Sequence, residues 1–392
     1  MRVLVLGGAD NQLACIAAAR RLGAEVIVAD PREGVPGTAL ADSWIGIDVA
    51  ATDELAQAVA GLGIDAVLTD QSDYAARAAA DLAARLGLQG QDPQLVDACS
   101  NKLTMRRMLA ARAPSLVPWF RHFTNIASAS RFAAESEGPV IVKPLQSQGS
   151  RGVVLVESDN DLPRIEEAFA ESEGHGILVE QFVSGREYSV DGMVRGGVLT
   201  PLGIAAKTHY AGNPCLDERC DFLPTEFAHV EGRLLEAMDV TVSALGIDFG
   251  IVHAELLVDD GPATLVEIAL RGGGAGISSV IVPYLAQYDP AEALLRHLLE
   301  LPPLPEPADF RARATTLRFL PAHPLPPERA ALDPAIAGWL SLVLSGARPS
   351  PGRAPRSSAE RPGSIIVAGD TVDAVHGIEV AVMEALGYPA GT

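Results

Sequence analysis

The sequence predicts a mixed fold, α/β in its N-terminal part and α+β beyond it, that begins with a doubly wound parallel sheet. Apolar strands alternate with helices over the first hundred residues, which favours a parallel sheet covered by helices. From residue 139 onward, longer strands follow one another with few helices, a pattern typical of an antiparallel sheet. A Pro-rich linker at 301–307 then precedes a small C-terminal α/β part.

The N-terminal part contains three predicted strand–helix pairs. The strands are predicted at 2–6, 25–29 and 66–69, and the helices at 11–22, 53–60 and 74–86. Gly23 and Gly87 follow two of these helices, and glycine commonly ends a helix. The βαβαβα order predicts that the strands pair in parallel.

Two turns of this part lie where open α/β sheets bind ligands. Residues 7–10, Gly-Gly-Ala-Asp, follow the first strand but lack the G-x-G-x-x-G spacing, so we interpret them as a tight turn rather than a dinucleotide site. Asp70, Ser72 and Asp73 follow the third strand. Capping of the next helix by Ser72 or Asp73 is the simpler interpretation of these residues.

The region after residue 100 begins with a helix near Asn101 and continues mainly as strands. Strands are predicted at 140–143, 152–157, 177–182, 187–194 and 198–207, and helices at 159–172, 232–245 and 290–301. We interpret Arg106 and Arg107 as a solvated helix face. Residues 207–215 are interpreted as a loop, which is either a substrate loop or an exposed turn. After the linker we expect strands at 314–320, 338–345 and 364–368, an exposed loop at 346–362 and a helix at 371–385.

The composition argues against several classes of function. The chain has 50 acidic and 30 basic side chains and a net charge of −20, which disfavours nucleic acid and anionic membranes as partners. The N-terminus is typical of a strand rather than a signal peptide, and no 18-residue apolar stretch is present. The four scattered cysteines form no zinc motif. We therefore expect a soluble, cytoplasmic protein with reduced thiols.

Two glutamates on predicted strands give the most specific chemical signal. Glu255 and Glu267 lie on successive strands, and the second strand continues into Arg271 and three glycines. Carboxylates suit Mg²⁺, and an arginine beside free backbone N–H groups suits an anion. His253 shares a strand face with Glu255, so it either supports the metal or is a packed, hydrogen-bonded histidine.

Two further segments suggest a nucleotide site. Lys143 ends a strand and leads into a Gly- and Ser-containing loop at 145–152, which suits phosphate, although no Walker A sequence occurs in the chain. The strand that carries Glu180 exits towards Val183, where a carboxylate and backbone groups could contact an adenine edge. Glu187, after the next turn, could accept hydrogen bonds from ribose hydroxyls.

Taken in order, these motifs resemble the ATP-grasp superfamily, in its carbamoyl-phosphate-synthetase-like and biotin-carboxylase-like branch of carboxylate–amine ligases. The resemblance covers nearly the whole chain. It implies a pre-ATP-grasp domain at 1–100, an ATP-grasp domain at 101–308 with a mobile lid at about 120–190, and a small C-terminal domain at 309–392. Homodimers are common among such relatives, so the resemblance allows a homodimer here.

The resemblance also implies roles for the residues of the nucleotide site. Lys102 and Lys143 would contact the α- and β-phosphates of ATP. The loop that would close over the γ-phosphate contains Ser147, Gly149, Ser150 and Gly152. The residues that would hold the nucleoside are Glu180, Phe182 and Val183 for adenine and Glu187 for ribose.

Metal and substrate residues follow from the same resemblance. Glu255 and Glu267 would bind Mg²⁺, with Mn²⁺ as an alternative ion. Arg271 would hold the substrate carboxylate or the acyl-phosphate, and Lys207 would face the transferring phosphate. One position departs from the family, because the usual third metal ligand, an asparagine two residues after the second glutamate, is Ala269 here. A second metal ion would then be held more weakly or through water.

The implied function is an ATP-dependent ligase of small metabolites. It would activate a small carboxylate, possibly that of an amino acid, as an acyl-phosphate and join it to an amine, releasing ADP and phosphate. One alternative keeps the activation step but uses bicarbonate as the acyl donor, or a thiol or hydroxyl as the acceptor. A second alternative, prompted by Ala269, is a non-catalytic nucleotide-binding relative.

Overall fold

Three β-sheets organise the part of the chain that the computed structural model describes, residues 1–321, 338–345, 347 and 353–388. The first sheet contains β1 (Arg2–Leu6), β2 (Glu25–Ala29), β3 (Ser43–Ile45) and β4 (Ala66–Leu68). Its strands pair in parallel in the order β3-β2-β1-β4. The accompanying helices are α1 (Leu13–Arg21), α2 (Pro36–Leu40), α3 (Thr52–Val59), α4 (Asp73–Leu86) and α5 (Pro93–Ser100).

Both faces of this sheet are buried, as the apolar strands predict. Val3 and Val5 of β1 face one core, while Leu4 and Leu6 face another that includes α3 and α4. The predicted doubly wound parallel sheet is therefore confirmed. The elements α2, β3 and α5 were not predicted, because α2 begins with Pro and Gly and β3 is a mostly exposed strand of three residues.

The second sheet is antiparallel and follows α6 (Lys102–Arg112). Its elements are β5 (Phe120–Phe123), α7 (Ile126–Glu135), β6 (Val140–Pro144), β7 (Val154–Val156), α8 (Ile165–Ala170) and β8 (Ile177–Gln181). The strand order is β5-β8-β6-β7, and α7 and α8 pack on the sheet through a separate core. We call this unit the lid, after its predicted role.

The third sheet is the largest and is antiparallel throughout. Its strands are β9 (Arg186–Arg195), β10 (Val198–Tyr210), β11 (Asn213–Phe222), β12 (Phe249–Val258), β13 (Thr264–Ala269), β14 (Ala314–Phe319), β15 (Trp339–Leu344) and β16 (Gly363–Gly369). The helices of this region are α9 (Pro224–Phe227), α10 (Glu231–Leu245), α11 (Val282–Ala286), α12 (Pro290–Leu298) and α13 (Val372–Ala385). The order β13-β12-β9-β10-β11-β14-β16-β15 joins the C-terminal strands to the central ones through β11 and β14.

The strands predicted between residues 140 and 207 belong to two sheets rather than one. The chain leaves the lid after β8 and enters the large sheet at β9 through Gly185, whose φ is +137°. A Cβ on Gly185 would lie 2.8 Å from the carbonyl oxygen of Val258, so only glycine fits this crossing. Alternation of apolar residues cannot reveal such a change of sheet, because the two-residue period is the same in strands of either sheet.

The loop predicted at 207–215 is wrong, since β10 continues to Tyr210 and β11 begins at Asn213. Charged residues interrupt the apolar pattern of β11, yet the strand pairs with β10 on one side and β14 on the other. The loop predicted at 346–362 lies partly outside the described residues, and within 353–362 the chain forms a short 3₁₀ turn, Ser358–Glu360. Within the described residues, no helix has the length and apolar character needed to cross a membrane.

The C-terminal helix is fastened to the large sheet by a buried carboxylate. Glu379 of α13 is 4% exposed and pairs with Arg219 of β11 at 2.9 Å and with Arg318 of β14 at 3.0 Å. Because both arginines are largely buried, removal of Glu379 would leave two guanidinium groups without their counter-charge.

We expect Glu379→Ala to lower the free energy of unfolding by about 2–4 kcal/mol. Glu384→Ala, on an exposed position of the same helix, is the matched control and should change it by less than about 0.5 kcal/mol. Denaturant midpoints of the two variants measure the difference. Equal midpoints would mean that this ion-pair network does not hold α13 in place.

Candidate functional site

A single cleft between the lid and the large sheet collects most of the predicted site residues. Those that line it are Lys102, Lys143, Ser147, Gly149, Ser150, Glu180, Phe182, Val183, Glu187, Glu255 and Glu267. Apolar side chains such as Ile141, Leu257 and Leu265 form part of the wall, which suits a flat base. The other predicted residues, Gly152, Lys207 and Arg271, lie outside this lining.

The chain contains only three lysines, and all three are at this site. Lys102 Nζ lies 3.0 Å from the carbonyl oxygen of Ser147 and 3.4 Å from Glu267. Lys143 Nζ lies 2.9 Å from Glu180, and Lys207 pairs with a group of carboxylates described below. Each lysine that is predicted to contact phosphate is therefore paired with a carboxylate predicted to bind metal or nucleoside.

Local structure places two of these lysines side by side. Asn101 caps α6 by accepting hydrogen bonds from the backbone N–H groups of the second and third helical residues at 3.1 and 3.2 Å. The backbone N–H of Lys102 donates to the carbonyl of Leu145, just after β6, at 3.1 Å. Lys143 is the second-last residue of the same strand, so the helix start and the strand end bring both ammonium groups to the cleft.

The glycine-rich loop after β6 adopts a backbone that few residues accept. Gly149, Ser150 and Gly152 have φ values of +62°, +59° and +69°. A Cβ on Gly152 would lie 2.9 Å from side-chain carbons of Pro144 and Glu171, so this glycine allows tight packing at the base of the loop. Gly152 thus shapes the loop, while Ser147 and Ser150 line the cleft.

Glu180 is engaged by two cations. Arg106 donates to both of its carboxylate oxygens and also to the carbonyl of Val266 at 2.9 Å. Burial alone would raise the pKa of Glu180, but the charges and hydrogen bonds of Arg106 and Lys143 outweigh it and lower the pKa to about 2. The solvated helix face predicted for Arg106 is wrong, since this side chain is 2% exposed, whereas its neighbour Arg107 is exposed.

Lys207 lies beneath the cleft among three carboxylates. Its Nζ is 2.8 Å from Glu187 and 3.3 Å from Asp217, and it also contacts Glu255. Burial would lower the pKa of Lys207, but these carboxylates raise it well above its usual value, so the ammonium stays charged. His209 Nε2 lies 3.1 Å from Glu187 and joins the same cluster.

The two predicted metal ligands face each other across neighbouring strands. Glu255 of β12 is paired in register with Glu267 of β13, and both side chains are partly exposed to the cleft. Two adjacent carboxylates fit a divalent cation, because they supply hard oxygen donors and negative charge. The next register pair on this face is His253 with Ala269.

His253 is a buried, hydrogen-bonded histidine next to the predicted metal ligands. Its Nδ1 lies 2.9 Å from Asp191 Oδ1, and its Nε2 lies 3.8 Å from Glu255 Oε1. Burial would lower the pKa of His253, but Asp191 and Glu255 outweigh it and raise the pKa to about 10.

Arg271 is held by the N-terminal sheet rather than exposed in the cleft. Its guanidinium donates to both carboxylate oxygens of Asp73 and to the carbonyl of Gly272 at 2.9 Å. Asp70 accepts hydrogen bonds from the backbone N–H of Gly272 at 2.7 Å and from the hydroxyl of Ser278. The acids that follow β4 therefore fix the glycine-rich turn after β13.

The capping prediction for the turn after β4 is confirmed in part. Ser72 caps α4 by accepting from the backbone N–H of Ala75 at 3.3 Å, whereas Asp73 pairs with Arg271 instead. The one sequence signal that pointed to a functional role for Asp70 and Asp73 was their position at the carboxyl edge of a parallel sheet, where ligands commonly bind.

Four polar residues of the site were missed by the sequence reasoning. Arg106 looked like a surface residue, and Asp191, Asp217 and Arg361 belong to no motif. Arg361, from the segment before β16, lines the cleft and donates to the carbonyl of Asp217 at 2.6 Å. The nearby Ser358 N–H donates to the carbonyl of Gly149 at 3.0 Å, so the C-terminal region also contacts the glycine-rich loop.

Comparison with known proteins identifies the central region. Residues 136–279 match the family described as ATP-grasp domain, so the predicted family resemblance is confirmed for this stretch. A solved structure of an L-amino acid ligase from Bacillus licheniformis superimposes with a TM-score of 0.79 at 22% identity. The match covers 96% of this chain and 95% of that one, and at this identity it establishes the fold.

Curated relatives also match at the level of sequence, among them two with stated activities. Formate-dependent phosphoribosylglycinamide formyltransferase from Synechococcus sp. (strain CC9605) is 25% identical over 325 residues, 82% of this chain and 81% of the relative. Dapdiamide A synthase from Enterobacter agglomerans is 28% identical over 199 residues, 46% of this chain and 45% of the relative. The chain spans less than half the length of the first curated relatives that it matches.

We expect Lys143→Ala to weaken binding of a non-hydrolysable ATP analogue by about 10- to 100-fold, since it removes a charge-assisted hydrogen bond. Titration calorimetry measures the affinity. Arg131→Ala, at an exposed position of α7, removes the same charge from the lid and should bind the analogue as the native chain does.

Lysine-selective ¹³C labelling gives an independent readout of the same contact. With only three lysines in the chain, each Cε signal can be assigned by substitution, and all three should shift when the analogue is added. Equal affinity of Lys143→Ala and Arg131→Ala, together with an unmoved Lys143 signal, would rule out the phosphate role.

Proposed function

We propose that this chain, which contains an ATP-grasp domain, is an ADP-forming ligase that activates a small carboxylate with ATP and joins it to an amine. The observation that carries the proposal is the convergence of Lys102, Lys143 and two paired glutamates on one cleft under the glycine-rich loop, with Lys207 beneath the cleft against one of these glutamates. Phosphoryl transfer from ATP requires groups that bind the triphosphate, a divalent cation and a loop that closes over them.

Binding of metal and ATP exchanges partners within the site. In the free protein the ammonium groups of Lys102 and Lys207 neutralise Glu267 and Glu255. When ATP enters, its phosphates take the ammonium groups, and both glutamates would then be free to hold Mg²⁺. A bound Mg²⁺ would neutralise charge on the phosphates that the lysines do not reach. The exchange leaves few unpaired charges, so a buried site can accept a highly charged ligand.

The first chemical step activates the carboxylate. A carboxylate oxygen attacks the γ-phosphorus, the bond from that phosphorus to the β–γ bridging oxygen breaks, and ADP leaves. Arg271 orients the substrate carboxylate by exchanging Asp73 for it, since both present a pair of oxygens to the same guanidinium. Lys207 balances the charge of the transferring phosphoryl group.

The second step forms the amide. The amine nitrogen attacks the acyl carbon, phosphate leaves with its electron pair, and the nitrogen loses a proton to solvent. Water competes with the amine for the acyl-phosphate, which gives closure of the lid over the cleft a chemical purpose. The names of two similar proteins specify an L-amino acid and formate, and both of these are carboxylates.

We also propose a cytoplasmic location and small-molecule partners. The four cysteines are unpaired thiols, and three of them are buried, which suits a reducing compartment where ATP is abundant. A homodimer is compatible with this function but is not required by it, because the described residues of one chain supply the lysines and the glutamates.

Glu267→Gln should reduce ADP formation at least about 100-fold, because it removes a metal-binding charge with little change in volume. Glu384→Gln makes the same chemical change at an exposed position of α13 and should leave the rate unaltered. Steady-state assays of ADP release, with melting temperatures to check the fold, provide the comparison. A native rate in Glu267→Gln would reject the metal assignment.

Activation of the carboxylate can be tested by following its oxygen. ADP release is measured over a panel of amino acids and small carboxylic acids, each with and without amines, and the responding acid is then labelled with ¹⁸O. We expect one ¹⁸O per turnover in the released phosphate, because the bridging oxygen of the acyl-phosphate comes from the acid. Hydroxylamine should trap the same intermediate as a hydroxamate.

Other outcomes would point to the alternatives. Phosphate without ¹⁸O would exclude an acyl-phosphate and therefore the proposed reaction. Incorporation of ¹⁸O from labelled bicarbonate alone would favour the alternative in which bicarbonate is the acyl donor. Tight binding of ATP without release of ADP over the whole panel would favour a nucleotide-binding protein.

A further inference from the structure

We propose that His253 is the third protein ligand of the metal site, binding a divalent cation through Nε2 together with Glu255 and Glu267. The resulting set of two carboxylates and one imidazole favours a transition-metal dication such as Mn²⁺ over Mg²⁺. This inference rests on the metal site of the proposed function and adds a ligand and a metal preference to it.

The strand register puts the three side chains on one face. His253 and Glu255 are two residues apart on β12, so both point to the same side of the sheet. Glu267 is the register partner of Glu255 on β13. His253 Nε2 lies 3.8 Å from Glu255 Oε1, and two atoms that share one ion at about 2.1 Å each lie no more than about 4.2 Å apart. One ion can therefore bridge His253 and Glu255 without a movement of the backbone. The carboxylate of Glu267 must turn towards this pair when Lys102 leaves it, because the ligand atoms of the three residues do not all lie within 4.8 Å of one another.

Asp191 gives His253 the support that metal-binding histidines usually have. Its Oδ1 lies 2.9 Å from His253 Nδ1, and the two side chains are 3% and 10% exposed. A carboxylate at Nδ1 keeps a proton on that nitrogen, orients the ring and leaves Nε2 to the metal. A Cβ on Gly273 would lie 2.9 Å from His253 Nδ1 and 3.0 Å from Asp191 Oδ1, so the glycine-rich turn also packs closely over the pair.

The residue opposite His253 is the one that departs from the family pattern. Ala269 is the register partner of His253 and is buried, and its methyl group cannot bind a metal. The position that would carry an asparagine ligand is thus occupied by the smaller residue, directly beside an imidazole. A nitrogen donor in place of an amide oxygen shifts the preference of the site, because Mg²⁺ favours oxygen and imidazole favours first-row transition metals.

Metal binding at this position requires exchanges of partners. A metal ligand must offer a lone pair, so Nε2 gives up any proton that it carries when the ion binds. Lys207 leaves Glu255 and Lys102 leaves Glu267 for the phosphates, as the proposed function already requires.

A different set of three metal-ligand side chains already lies together in the described residues, and it serves as an internal control. Glu187, His209 and Asp217 bring three ligand atoms within 4.8 Å of one another. Lys207 contacts Glu187 and Asp217 as well as Glu255, so its position does not separate the two sets. We assign the ion to His253 because its ring lies beside Glu255, which faces Glu267 across the strands.

The test is direct detection of histidine nitrogen at bound Mn²⁺. Mn²⁺ is added to the full chain with ADP, and pulsed electron paramagnetic resonance records modulation by ¹⁴N. We expect imidazole modulation that disappears when the native protein is made with ¹⁵N-histidine, which excludes the adenine nitrogens as its source. This measurement needs no substitution and no catalytic activity.

Substitutions then identify the histidine. His253→Gln should lose the nitrogen modulation and weaken Mn²⁺ binding by about 10- to 100-fold, whereas His209→Gln should keep both. The concentration of Mg²⁺ that displaces Mn²⁺ should fall in His253→Gln by a similar factor. Adding Ala269→Asn to His253→Gln should restore part of the affinity without the nitrogen signal, since an amide oxygen then replaces the imidazole.

Three results would overturn the inference, and they separate it from the proposed function. Mn²⁺ bound without histidine modulation would reject His253 as a ligand while leaving the ligase proposal intact. Loss of the modulation in His209→Gln but not in His253→Gln would place the ion in the other cluster. Absence of Mn²⁺ binding to the native chain with ADP would reject the metal site itself, and with it both proposals.

Discussion

Compensation between buried ammonium groups and carboxylates is the constraint on which the rest of the site depends. Lys207, at 4% exposure, lies beside Glu187 and Glu255, and Lys143, at 8%, lies beside Glu180, so each buried ammonium has a counter-charge. The lysines in turn balance these carboxylates, together with Arg106 at Glu180. The lysines are suited to the phosphates of a metal–nucleotide complex, and the glutamates are suited to its metal ion. In the free protein these two groups of side chains neutralise each other.

The glycine-rich turn after β13 joins this site to the N-terminal sheet. Asp70 and Asp73, which follow β4, hold the backbone of Gly272 and the guanidinium of Arg271. One face of the N-terminal sheet packs into the same core as the large sheet, which keeps these contacts in register. The arginine proposed for substrate is thereby placed by one sheet, while the glutamates proposed for metal belong to another. A movement between the two sheets would alter the distance between substrate and metal.

Much of the fold could be predicted because its signals are local. The helix capped by Asn101, the strands that carry Glu255 and Glu267, and the parallel N-terminal sheet all follow from capping residues and apolar periodicity. The predictions failed where contacts between distant residues override the local sequence pattern. The strand β11 forms from a charged segment because it has a partner strand on each side. Arg106 is buried because it pairs with Glu180, which lies 74 residues further along the chain.

The sequence by itself determined which kinds of chemistry the chain can carry, because the lysine, glutamate and glycine positions follow recognisable strand and loop patterns. Only the tertiary structure decided which of these residues meet. His253 was open to two interpretations in the sequence, and its contacts with Asp191 and Glu255, opposite Ala269, come from pairing among β9, β12 and β13. Register between strands depends on long-range packing rather than on local composition, so no window of sequence contains it.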